Sequence, residues 1–202
     1  MIALRALRYG VCCITPVLDI PSDLNFSYAV QDTLKHEGGY TNNIHDKGGV
    51  TNFGISLRYL QSLGKVGDYN SDGLINDNDI KLIDKKRAVA LYKDGFWDKY
   101  GYGRINNEAL AEKMFDLSVN MGPVNAHKLL QKAINLMRFE NLILEDGIFG
   151  QQTINAINIS NPKNLLLCLK GVSAWYYIQI VDKNPSQKVF IKGWLKRATS
   201  GL

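Results

Sequence analysis

A chain of 202 residues can bury one substantial core, or two small ones that share an interface. Its 46% hydrophobic and 21% charged content excludes intrinsic disorder, and no stretch reaches the ~20 apolar residues of a membrane span. The net charge of +5 suits an anionic partner. Charge alone leaves nucleic acid, a membrane surface and an anionic cell wall equally open.

At the N-terminus, Arg5 and Arg8 precede the apolar stretch YGVCCITPVL, which has the length of an export-signal core. A proline interrupts it and no small-x-small cleavage site follows, so residues 1–21 read as an N-terminal arm. Cys12, Cys13 and Cys168 make neither a disulfide framework nor a metal-ligand spacing, and read as free thiols. In LNFSYAVQDTLKHEGG, Phe26, Ala29, Val30 and Leu34 recur at helical spacing. Ser22 or Asn25 would cap that helix and Gly38-Gly39 would stop it. Periodicity vanishes from Tyr40 to Ile55, where Gly, Asn, Asp and Thr predict a loop with room for a small hairpin. Helical patterns resume at 57–63, 85–100, 108–121, 125–137, 151–158, 164–183 and 187–196. The most apolar stretch, Leu165 to Val181, is interrupted by Lys170 and reads as a buried helix. A soft boundary near 104–107 separates a loop-rich half from a half of packed helices. The fold class expected is mainly α with very little strand.

Glu37 sits at the end of the first predicted helix. The helix C-terminus carries partial negative charge, which disfavours ionisation and suits a carboxyl that must hold a proton as a general acid. The two glycines behind it let the chain turn sharply and let a bulky ligand approach the backbone. Asp46 and Thr51 come next on the loop, a carboxylate and a hydroxyl either of which can orient a water from an opposite wall. Taken alone, a Glu before Gly-Gly is also an ordinary helix end, and Asp-x-Gly-Gly an ordinary turn.

The segment DYNSDGLINDND fits a twelve-residue calcium loop. Asp68, Asn70 and Asp72 hold positions 1, 3 and 5, Gly73 position 6, the Leu74 carbonyl position 7, Ile75 position 8 and Asp79 position 12. Hard oxygen donors at alternating positions converge on one ion, and the glycine permits the sharp turn. Asp in place of Glu at position 12 departs from the usual EF-hand and is closer to the dockerin variant. An acidic Asn/Asp/Gly surface turn is the competing reading. Tyr92, Phe96 and Tyr100 recur at helical spacing, which suits core packing at least as well as a sugar-stacking platform.

The string HEGGYTNN…DKGGVTNFGIS resembles the N-terminal signature of glycoside hydrolase family 108, the N-acetylmuramidases of phage endolysins and secretion-activating muramidases. Its spacing of Glu37, Asp46 and Thr51 is also similar to the Glu–Asp–Thr triad of phage-type lysozymes. Further on, Phe115-Asp116, Asn120-x-Gly122, Leu130-Gln131 and Asp146-Gly147-x-x-Gly150-x-x-Thr153 are similar to a peptidoglycan-binding helical module. Together the likenesses span roughly residues 25 to 197.

The resemblance implies a lysozyme-like fold: a catalytic segment at 22–105 with the calcium loop 68–79 inserted, then a peptidoglycan-binding module at 106–202. It implies hydrolysis of the β-1,4 bond between N-acetylmuramic acid and N-acetylglucosamine. Glu37 is the acid, Asp46 and Thr51 its catalytic companions, and Tyr40 and Asn120 the residues that face the sugar. The expected cofactor is structural calcium, with no organic cofactor. The expected partner is bacterial peptidoglycan, without nucleic acid or stable membrane insertion, and the chain is expected to act as a monomer. Its site of action would be the periplasm or cell wall, reached through the N-terminal arm or by holin-dependent release. A lytic transglycosylase and a non-catalytic, calcium-stabilised wall-binding module are the rival functions.

Overall fold

The computed structural model describes residues 24–36, 39–41, 50–138 and 142–200. Within them the chain is mainly α, with one two-stranded ribbon, as the sequence predicts. Helix α1 spans Leu24–His36. It begins one residue before Asn25, so Asn25 lies inside the helix rather than capping it, and Ser22 falls outside the described residues. The ribbon β1 (Thr51–Asn52) and β2 (Ile55–Ser56) pairs antiparallel, Thr51 opposite Ser56 and Asn52 opposite Ile55. Phe53 (φ 49°) and Gly54 (φ 75°) both turn left-handed, as a two-residue type I′ hairpin requires. The Tyr92 hydroxyl, donating to the Phe53 carbonyl at 3.0 Å, holds a non-glycine residue in that conformation.

Ser56 then accepts the Tyr59 N–H and caps α2 (Leu57–Ser62). A short 3₁₀ turn at Gly64–Gly67 leads into the 68–79 loop, and the loop runs into α3 (Asp77–Lys81), a helix too short to leave a periodic signature. The helix expected over 85–100 divides. α4 covers Lys85–Tyr92, and Lys93–Asp98 continues as a π-helical turn. After a 3₁₀ turn at Tyr102–Arg104 come α5 (Glu108–Met121), α6 (Pro123–Arg138), α7 (Gln151–Ile159) and α8 (Pro162–Lys183). A 3₁₀ turn at Pro185–Phe190 and α9 (Ile191–Thr199) complete the chain.

The core gathers on α5. Leu110, Ala111, Met114, Phe115 and Leu117 are all buried, and α1, α6 and α8 pack against that helix. Phe26 of α1 lies 5.9 Å from Phe115 and 5.6 Å from Trp97, ring centre to ring centre, in edge-on and tilted geometries. Such pairs add roughly 0.5–1.5 kcal/mol each beyond the burial of their surface. Tyr92 meets Phe115 edge-on at 5.9 Å, and Phe96 and Tyr100 pack against the same core. The aromatic run at 92–100 is therefore core. The Leu165–Val181 stretch is helical as expected. Lys170 is buried on it, and among the described residues its ammonium has no hydrogen-bond partner.

The Asp146-Gly147 motif is architecture. Asp146 accepts the Ile148 N–H and the Gln131 amide, and Gly147 (φ 82°) donates to the Gln131 oxygen. The Gly147 carbonyl meets His127 Nδ1 at 3.0 Å. A carbonyl can only accept, so Nδ1 carries the proton and Nε2 accepts from the Tyr102 hydroxyl at 2.7 Å. Ser118 then completes a buried chain as donor to Tyr102.

This chain predicts a pH response. Burial pushes His127 below the ordinary imidazole value, and the Gly147 hydrogen bond opposes that only in part. As pH falls below about 6.5 the unfolded chain takes up a proton that the folded chain refuses. Stability is therefore full above that pH and declines below it. Melting temperatures measured from pH 7.5 to 5 should fall in the wild type and fall less in His127→Gln; parallel curves would refute the assignment.

Candidate functional site

Glu37 and Asp46, two of the three residues expected to be catalytic, lie outside the described residues. The described residues form part of the frame that flanks them. Helix α1 ends at His36. The chain is described again at Gly39–Thr41, where Thr41 and Thr51 exchange main-chain hydrogen bonds of 2.8 and 2.9 Å. This isolated bridge brings Tyr40 and Thr51, far apart in sequence, to the same edge of the ribbon. Tyr40 is 43% exposed, with the Lys81 ammonium 5.7 Å from its ring centre. A ring held in that way keeps one apolar face for contact while remaining open to solvent.

The ribbon is fixed from behind by a residue that sequence reasoning misses. Asn52 is 6% exposed, and its amide donates to the carbonyls of Ile80 (3.0 Å) and Ile83 (2.9 Å). Both acceptors belong to α3 or its exit, so the helix that closes the 68–79 loop is clamped to the strand bearing Thr51. Only the fold could reveal this, because a lone Asn in a loop carries no spacing signal.

The loop itself is internally braced. Ser71 (φ 60°) and Gly73 (φ 86°) are left-handed, which turns the chain tightly between Asp68 and Leu74. Asp68 and Asn70 both accept the Asp72 N–H, at 3.2 and 3.0 Å, and the Asn70 amide donates to Asp72 at 2.8 Å. Asp68 also accepts from Gly73 N, and Asp72 from Leu74 N. Asp79 is fully buried and accepts main-chain N–H groups from Tyr69, Asn70 and Asn76. With Asn76 it also forms the capping box of α3, a role the ligand spacing does not announce. Burial raises the Asp79 carboxyl, but these main-chain donors outweigh it and hold the group below the usual carboxylate range.

Among the described residues no three His, Cys, Asp or Glu side chains gather closely enough to hold a metal by themselves. A cation here would need the Asn70 amide oxygen and the Leu74 carbonyl as well as the carboxylates. All of these are hard oxygen donors, the chemistry calcium prefers.

Asn120 stands elsewhere, at the last turn of α5. Its oxygen accepts the Tyr177 hydroxyl at 2.5 Å, and it lines a pocket of about 390 Å³ with residues 189–200. Neither Tyr40 nor Thr51 lines that pocket. The structure therefore unites Tyr40 and Thr51 and places Asn120 in a different setting.

Residues 30–122 match the family described as Glycosyl hydrolase 108, and residues 125–199 match the family described as Predicted Peptidoglycan domain. A solved structure, described as the Structure of Brucella abortus SagA, is similar at 23% identity and a TM-score of 0.68. The similarity covers 86% of this chain and 89% of that one. Likeness at that identity shows the fold. No curated protein matches the chain.

Replacing Asn52 with Ala should cost about 1–3 kcal/mol, because it removes both amide hydrogen bonds at a buried junction. In a chain of this size that lowers the melting temperature by roughly 2–4 °C per kcal/mol. Unchanged melting in a calorimetric scan would show that α3 is held to the ribbon by other means.

Proposed function

As this chain is a peptidoglycan hydrolase, a glycosyl hydrolase 108 domain followed by a peptidoglycan domain, we propose that it is an N-acetylmuramidase with Glu37 as its general acid. The bond cut is the β-1,4 linkage from N-acetylmuramic acid to N-acetylglucosamine. Glu37 protonates the leaving oxygen. A water oriented by Asp46 or Thr51 attacks the oxocarbenium-like sugar carbon. Tyr40, exposed on the ribbon edge and bridged to the strand of Thr51, contacts the glycan. The observation that carries this reading is the family match over 30–122, which includes Glu37, Asp46 and Thr51 at their motif spacing.

The division of labour follows the matched segments, with catalysis in the N-terminal part and wall binding in the C-terminal part. α5 packs on both α1 and α6 and so serves both. Action is at the cell wall. Among the described residues no helix is long and apolar enough to cross a membrane.

Glu37→Gln should lower wall cleavage on the order of a hundredfold or more, with fold and wall binding retained. Mass spectrometry of fragments released from purified sacculi gives the decisive readout. Reducing muropeptides are expected. Products lighter by one water would identify a transglycosylase instead, and activity within tenfold of wild type in Glu37→Gln would remove the acid from that residue.

The loop from Asp68 to Asp79 takes calcium in this proposal, held by Asp68, Asn70, Asp72, the Leu74 carbonyl and Asp79. The ion would neutralise the loop's carboxylates and stiffen the ribbon through α3 and Asn52. Binding that favours the native state raises stability by RT ln(1 + [L]/Kd), on the order of a few kcal/mol at saturation. Melting in excess calcium should exceed melting in chelator, and Asp72→Ala should abolish the difference. Equal melting of the wild type in both conditions would contradict calcium binding.

A further inference from the structure

The pocket at Asn120 has features that neither the acid-bearing segment nor the metal loop explains. It lies between the last turn of α5 and the corner where the 3₁₀ turn Pro185–Phe190 enters α9. Phe190, Trp194 and Lys196 are among its lining residues. Its volume of about 390 Å³ falls in the range of small-ligand sites. Trp194 is partly exposed; Tyr177 stacks against it at 5.3 Å and 22°, and Phe190 is tilted against it at 5.6 Å and 31°. Phe190 itself is 43% exposed. These ring faces are electron-rich and attract the polarised C–H groups of a sugar ring.

The amide at the pocket has a fixed orientation. Tyr177 donates to Asn120 Oδ1, and burial pushes the Tyr177 hydroxyl well above its ordinary value, so it remains a donor. Asn120 Nδ2 therefore faces away from Tyr177, and no partner for it occurs among the described residues. An N–H pair presented in this way suits an acceptor such as an acetamido carbonyl.

The electrostatics add a second requirement. From Lys183 to the C-terminus the chain has five Lys or Arg and no Asp or Glu, so this segment alone matches the net charge of the whole protein. Lys196 is exposed at the pocket. Arg197 is engaged with Asp116 at 2.8 Å, and Lys113 donates to the Arg197 carbonyl, which anchors α9 on α5 and keeps the pocket in shape.

We propose that this pocket binds an N-acetylated, carboxylate-bearing sugar of the peptidoglycan strand, a muramyl unit with its stem peptide. The ring rests on exposed Phe190 and the open edge of Trp194 that supports it, Asn120 donates to the acetamido carbonyl, and Lys196 pairs with the carboxylate. Tyr177 is a positioning residue that acts through Asn120. The proposal rests on the reading of the chain as a peptidoglycan hydrolase. An interfacial membrane helix would also use exposed Val189 and Phe190 with basic neighbours, but it has no need of an oriented amide.

The test is calorimetric titration of the full chain with three probes: a disaccharide–tetrapeptide muropeptide, chitotriose as a sugar without carboxylate, and vesicles of phosphatidylglycerol. The muropeptide should bind. Trp194→Ala and Asn120→Ala should weaken it about tenfold or more, as truncation of a central anchor does. Exposed Lys196→Gln, which leaves the core untouched, should weaken the muropeptide several-fold and leave chitotriose unaffected. Should Trp194→Ala fail to fold, Lys196→Gln and Asn120→Ala decide. Wild-type affinity for the muropeptide in those variants, or binding to vesicles without binding to muropeptide, overturns the proposal. Release of soluble fragments from sacculi by the wild type tests the hydrolase reading separately, so the two failures are distinguishable.

Discussion

The structure depends on the burial of α5 around most of its circumference. A helix so enclosed must find protein partners for every polar side chain it carries inward, because water does not reach them. Ser118 finds Tyr102 and, through it, His127 and the Gly147 carbonyl. Lys113 and Asp116 find the carbonyl and guanidinium of Arg197. These two sets of contacts tie the 3₁₀ turn at 102–104, α6, the Asp-Gly turn and α9 to one helix. The C-terminal half of the chain is thus organised by polar satisfaction as well as by apolar packing.

Much of this is legible in the sequence where a residue's role is periodic or local. Helices α5 to α8 stand where apolar spacing and Gly or Pro punctuation put them, because long amphipathic or apolar runs allow few alternatives. Gln131 and Asp146 belong to two separate elements of the peptidoglycan-module resemblance and prove to be hydrogen-bond partners. Three features are hidden for three reasons. α3 is only five residues long, too short for a period to register. The π-helical turn at Lys93–Asp98 is a local departure from the α-helical period, which apolar spacing does not encode. Asn52, His127 and the Asn120–Tyr177 pair act over separations of 20 to 57 residues, which no motif spacing reports.

In the N-terminal half, the ribbon and the 68–79 loop form one mechanical unit. The loop closes on α3, α3 is held by Asn52, and Asn52 is the neighbour of Thr51 and is paired with Ile55. Lys81, at the end of α3, also reaches the Tyr40 ring. Any change in the loop is therefore felt at both described members of the candidate site. The spacing of the loop's oxygens is legible as a ligand pattern. Its capping role is not, since the same Asp79 serves both ends of the segment.

The π-helical turn at Lys93–Asp98 has a consequence for how this chain can vary in length. A π turn accommodates one residue more than an α turn does over the same advance, so the residues beyond it are rotated relative to an uninterrupted helix. Each residue gained or lost in an α-helix swings the remainder by about 100°. Trp97 lies within that turn and points into the core, against Phe26 and Phe115. At Gly95, inside the turn, the Tyr59 hydroxyl occupies the place a Cβ would need, so this position admits only glycine without a shift of Tyr59. Between Lys85 and Tyr100 the chain therefore counts its residues. A one-residue deletion ahead of Trp97 would rotate that side chain by about 100° relative to the helix before it, away from Phe26 and Phe115.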